Sequence, residues 1–203
     1  MERIGGKRDG GIEWVSFFNK AAGRAHPVLS TLPTTDRTAT YARGTTLGNP
    51  AACCIGKQID YAPTRDADGN LTLAVSAQAN AYGLEWGRQL TAGKRTDTAA
   101  TNGASIDGAA SSAFGAQFYL HVFAFSGTDV TVKIQDSADD STFADLTAGG
   151  FTQITSGPGS QRIATAAGAT VRRYLRAVTV TTGGFTSLTF AVVAVRNEVE
   201  VVF

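Results

Sequence analysis

The sequence is poor in the residues that carry most enzyme chemistry. Among 203 residues there are two cysteines, two histidines, one methionine and five prolines. Cys53 and Cys54 are neighbours, so they cannot staple distant parts of a fold, and a reducing compartment suits the chain. On a strand their thiols point to opposite faces and do not grip one metal ion, so both are expected in the core and no metal or cofactor is expected. His26 lies before Pro27 in a loop, and His121 lies within an apolar strand, where a packed histidine is the ordinary case. Nucleophilic catalysis needs a base beside its nucleophile, and no G-x-S-x-G elbow, P-loop or dinucleotide fingerprint is present. No catalytic residue is expected.

Long apolar runs are missing too, which argues against a membrane span, and the charged start Met1–Arg8 lacks the apolar stretch of a secretion signal. Excess charge of either sign is absent: 18 Lys and Arg face 17 Asp and Glu, a net charge of +1. That balance excludes a binder driven mainly by phosphate attraction.

What the chain has in quantity is glycine, threonine and alternating apolar residues. This composition favours strands and turns. We read it as mainly β: a β-sandwich or partly closed barrel with at most one or two short helices, forming a single domain over 1–203. Ile12–Phe18 supplies five large apolar residues in seven and reads as a strand. His26–Pro33 has room for one short helix, with Pro27 near its start. Arg37–Arg43 and Ala51–Tyr61 read as strands. The Asp68-Gly69-Asn70 turn then leads into Leu71, Leu73, Val75 and Ala77 on one face of another.

The second half is richer in strands. Phe118–Phe125 is apolar on both faces, as in a strand between two layers. Val130, Val132 and Ile134 alternate with Thr131, Lys133 and Gln135, and Asp136–Asp140 reads as a turn. Gln161–Thr165, Val171–Val180 and Ser187–Val195 complete the set, the last two joined across Thr182-Gly183-Gly184.

Three segments look unable to bury much surface of their own. They are an N-terminal arm over 1–11, a Gly-, Ala-, Ser- and Thr-rich loop over 87–115, and a C-terminal tail over 197–203. The tail alternates well enough to be a strand seeking an edge.

Charged clusters are few. Asp136, Asp139, Asp140 and Asp145 lack the alternating oxygen ligands and the glycine of a calcium loop, so a solvated hairpin end is expected. Arg172, Arg173 and Arg176 form the one tight basic cluster. A strand puts Arg172 and Arg176 on one face and Arg173 on the other, which makes a poor nucleic-acid platform. Pairing with the aspartate-rich hairpin, within or between subunits, is the expected use. Trp14 and Trp86 lie in strand-like, apolar surroundings and read as core or interface anchors rather than sugar platforms.

Over residues 113–195 the series AFGAQFYLHVFAFSGTDVTVKIQDSADDSTFADLTAGGFTQIT and SQRIATAAGATVRRYLRAV resembles the major tail protein of long, non-contractile-tailed bacteriophages, chiefly those of actinobacterial phages. Upstream, IGGKRDGGIEWVSFFN, AGRAHPVLSTLPTTD, RGTTLGNPAA and YGLEWGRQLTAGKRTDTAATNGASID resemble the leading half of the same family, so the likeness spans nearly the whole chain. It implies a tail tube subunit, made in the host bacterial cytoplasm and resident in the virion. In such a tube β-rich subunits close into hexameric rings that stack around a channel for passing DNA. It also implies a tape-measure protein and tail terminator and distal tail proteins as partners, and no membrane. On this reading Trp14, Phe17 and Phe18, together with Asp136, Asp139, Asp140, Arg172, Arg173 and Arg176, are candidate inter-subunit contacts, and 87–115 bridges successive rings. The end, Asn197–Phe203, departs from the family pattern. The alternative reading is a capsid decoration protein or carbohydrate-binding β-sandwich module of a virion.

Overall fold

The computed structural model describes residues 10–31, 35–80 and 82–200. The chain forms two compact units. One contains the described residues up to Tyr41 together with Ala52–Glu85, and the other contains Ala42–Ala51 and the chain from Trp86 onward.

In the first unit β1 (Gly11–Phe17) pairs with β4 (Leu71–Ala79), and β4 pairs with β3 (Pro50–Arg65), all antiparallel. β2 (Arg37–Ala42) adds to β3. The β3–β4 hairpin turns at Asp66–Asn70. Gly69 there adopts a left-handed φ of 87°, and Asp66 accepts the Asn70 N–H at 2.8 Å. Register puts Trp14, Val75 and Tyr61 side by side on one face, with Leu73 and Ala77 flanking Val75 along β4. The five-residue helix α1 (Ala25–Leu29) lies over that face: Gln58 Nε2 donates to the Leu29 carbonyl at 2.8 Å, and His26 Nδ1 shares a hydrogen bond with the Tyr61 hydroxyl. Too short to hold itself together, α1 depends on these contacts.

The second unit is a two-layer sandwich. One layer runs β5 (Glu85–Gln89), β13 (Phe185–Arg196), β8 (Ala116–Gly127), β11 (Gly159–Ala164), with β6 (Arg95–Asp97) also on β13. The other runs β10 (Ala144–Gly150), β9 (Thr131–Ser137), β12 (Tyr174–Val180), β7 (Asn102–Asp107). Phe118, Leu120, Leu188, Phe190 and Val192 from the first layer meet Val130, Val132, Ile134, Leu175 and Ala177 from the second in one apolar core. The expected mainly β sandwich with little helix is what forms, and the sheets do not close into a barrel. β8 is buried on both faces over Ala116–Leu120, but within the apolar run Phe118–Phe125 the burial stops short of Phe123, which is exposed.

The three segments expected to lack support differ among themselves. Residues 1–9 of the arm lie outside the described residues, and Gly11 already opens β1. The stretch 87–115 is not one long loop: it holds most of β5, all of β6 and all of β7. Its pairing needs few large side chains because the ladder joins backbone groups, with Asp97 opposite Leu188 and Ile106 opposite Leu175. The start of the tail is fastened rather than free. Asn197 donates its backbone N–H to Gly115 and its side-chain amide to Phe114, and Ser112 Oγ bonds the Asn197 carbonyl. Residues 198–200 are not strand, and 201–203 lie outside the described residues.

Candidate functional site

Two sets of candidate residues arise from the sequence, and each lies in its own unit. In the first unit β1 pairs, among the described residues, with β4 alone, so its other edge offers unpaired N–H and C=O groups. Alternation sends Trp14 toward the α1 side, beside a groove of about 730 Å³ lined by Ile12, Val28, Leu29, Tyr41 and Ala77 among others. Val15 and Phe17 point to the opposite face and are 71% and 78% exposed. Phe18 is half-buried, its ring 4.6 Å from the His26 ring. The apolar trio is therefore not one patch: Trp14 and Phe18 serve the α1 side, while Phe17 joins Val15 in the open.

In the second unit the arginines separate. Regular pairing of β12 begins only at Tyr174, so Arg172 does not share a face with Arg176 as expected. Arg172 reaches buried Asp136, donating from its backbone N–H at 2.9 Å and from Nε at 3.0 Å. Arg176 instead donates to Gln135 Oε1 and lies 3.9 Å from the centre of the Phe143 ring. Arg173 grips Asp107 with two bonds of 2.7 and 2.6 Å. That guanidinium and the Ala109 N–H hold the Asp107 carboxyl down to about 2.

The aspartates are equally divided. Asp136 belongs to β9 and is not part of a solvated hairpin end. Asp139 accepts the N–H groups of Thr142 and Ser141 and the Ser137 hydroxyl, which holds its carboxyl well below the usual range. Asp140 accepts from Ser105 Oγ. Lys133 chiefly, with Gln135, lowers Asp145. The acidic run thus shapes its own turn and flanks.

Neither tryptophan is a core residue: Trp14 is 37% exposed and Trp86 is 58% exposed. His121 is shifted down by burial, and its ring stacks on Phe123 at 6.4 Å. Cys53 and Cys54 are buried free thiols, and burial pushes Cys53 up to about 12. Among the described residues no three His, Cys, Asp or Glu side chains gather as a metal site would require. No helix among them is long and apolar enough to cross a membrane.

Sequence reasoning missed two polar clamps. Asp129, buried beside the β13 entry, accepts the Thr182 and Gly183 N–H groups and is lowered chiefly by the Thr182 N–H. Asp97 binds Arg95 through bonds of 2.7 and 2.6 Å, and Arg95 also donates to the Ala177 carbonyl at 2.8 Å. Asp129 and Thr182 are 53 positions apart and Arg95 and Ala177 are 82 apart, so although Arg95 and Asp97 are near neighbours in the chain, no local spacing announces what they hold together.

No protein-family model matches the chain, and no curated protein matches it. A solved structure similar to it is the Dit (gp 19.1) protein of SPP1, described as a paradigm of the hub adsorption apparatus in phages infecting Gram-positive hosts. The identity is 11%, the match covers 92% of this chain and 78% of that chain, and the TM-score is 0.22. A superposition this loose carries nothing about function.

Proposed function

We propose that this chain is a structural virion protein that self-assembles into stacked hexameric rings, forming the hollow tail tube of a phage through which DNA passes. The observation that carries the reading is an edge of β1 that no strand among the described residues pairs with, with the exposed Val15 and Phe17 beside it. An uncovered strand edge flanked by large apolar side chains is a liability for a lasting monomer and an asset for a subunit that closes a ring. The resemblance to tail tube proteins along nearly the whole sequence gives that edge its purpose. The near-neutral charge suits a conduit that must not hold phosphate, and we expect neutral or acidic side chains along the lumen. On this reading the chain has no catalytic role. Its partners are further copies of itself, a tape-measure protein, and tail terminator and distal tail proteins. Phe17 is the first contact to test; Arg172 and Arg173 are already occupied within the chain.

Electron microscopy of purified protein over a concentration series, beside sedimentation velocity, tests the reading. Rings or hollow tubes of uniform width are expected. Phe17→Ser should leave the fold intact, because the side chain is exposed, while abolishing tubes. Small oligomers that bind capsids without forming rings would favour the decoration reading instead.

A further inference from the structure

At one end of the sandwich the two layers part, leaving a pocket of about 310 Å³ within the second unit. Ile106, Leu175 and Ala194 supply apolar walls, and Trp86, on the same face of β5 as Arg88, lines the opening. Two of the lining side chains, Arg88 and Arg196, are tied to backbone carbonyls. Arg88 donates from Nε to the Gly48 carbonyl at 3.0 Å and from Nη1 to Asp107 at 2.6 Å. Arg196 donates from Nη1 to Ala110 and from Nη2 to Gly108, both at 2.6 Å. The same Arg196 binds Glu198 Oε1 at 2.7 Å, leaving Oε2 of that exposed carboxylate available.

The polar groups that remain define the occupant. Among the described residues neither the Trp86 indole N–H nor Arg88 Nη2 has a protein partner, so the lining residues Trp86, Arg88 and Glu198 bring two donors and one carboxylate oxygen to a pocket with apolar walls. We propose that this pocket binds a neutral pyranose unit of a glycan. One face of a pyranose presents C–H groups that lie against an indole, and its rim carries hydroxyls that both donate and accept. A purely apolar side chain entering here would strip water from the free donors and return nothing. A phosphate is disfavoured at Arg196, whose charge Glu198 already pairs. The volume admits one sugar ring rather than an extended chain.

The test is calorimetric titration of the full chain, below the concentration at which it assembles. The probes are methyl glucoside, methyl galactoside, methyl mannoside, N-acetylglucosamine and soluble cello- and chito-oligosaccharides. At least one should bind saturably. Trp86→Ala should weaken that sugar by at least about tenfold, Glu198→Gln should weaken it less, and Phe17→Ser should leave it unchanged. Because both Trp86 and Glu198 are exposed, circular dichroism of each variant should match the parent. Absence of saturable binding by every probe up to its solubility limit overturns the proposal, as does binding indifferent to Trp86→Ala. Loss of tubes in Trp86→Ala, with no sugar bound by the parent, overturns it in favour of a subunit contact. Failure of the parent to form tubes would leave the sugar titration unaffected.

Discussion

Replacing Asp97 by alanine asks whether the stretch 87–115 is held as part of the sandwich. Asp97 has a side chain 4% exposed and Arg95 one 16% exposed, so this is a largely desolvated pair. The carboxylate accepts two bonds from Arg95 and a third, of 2.8 Å, from Thr179 Oγ1 on β12. The guanidinium also lies 5.1 Å from the centre of the Phe190 ring and donates to the carbonyls of Ala177 and Thr101. Removing the carboxylate leaves a buried cation with carbonyl partners but no counter-charge, a loss of about 3–5 kcal/mol. For a chain of this length each kcal/mol moves the melting temperature by roughly 2–4 °C, so the fall should be about 6–20 °C. Scanning calorimetry reads it directly. The paired change Arg95→Met with Asp97→Val should lose less than Asp97→Ala alone, since no uncompensated charge remains. A loss from Asp97→Ala under about 1 kcal/mol, the range of exposed ion pairs, would refute the reasoning.

Two further outcomes follow from the backbone and from the carboxylates. At Gly87 an added Cβ would run into the Ala194 carbonyl of β13, so Gly87→Ala should cost about 1–3 kcal/mol in urea denaturation. Gly159→Ala, where a Cβ meets nothing within 4 Å, should be close to neutral and serves as its control. In acid, Asp107 titrates in the folded chain at about 2, below its ordinary value of 3.8. Its contribution is therefore complete above about pH 4 and is lost as pH falls toward 2. Asp107→Asn should flatten that part of a stability-against-pH curve, and an unchanged slope would remove Asp107 as its source.

Strands with strict alternation were legible in the sequence because burial itself imposes the period. Val130, Val132 and Ile134 are all fully buried while Thr131, Lys133 and Gln135 are only half-buried, and Leu73, Val75 and Ala77 are buried between less buried neighbours. The short helix was legible from Pro27. By contrast β6, β7 and β10 are built from Arg-Thr-Asp, Gly-Ala-Ser and Thr-Ala-Gly segments, whose ladders rest on backbone groups and have no hydrophobic period to read. The exposure of Phe17 and Trp86 was equally hidden. A large apolar residue in a strand reads as core, and only the arrangement of neighbouring strands reveals which face is covered. The arginine cluster misled for a local reason: two of its three members precede the regular part of β12, where strand alternation does not apply.

The paired sulfurs of β3 have a consequence outside the fold. Buried, and with the Cys53 thiol lifted far above neutral pH, they present almost no thiolate to oxidants or to one another across copies. If the chain builds a particle as proposed, these two thiols should stay reduced on transfer into aerated medium. Disulfides would then contribute nothing to its durability, so reductants should neither loosen nor tighten it.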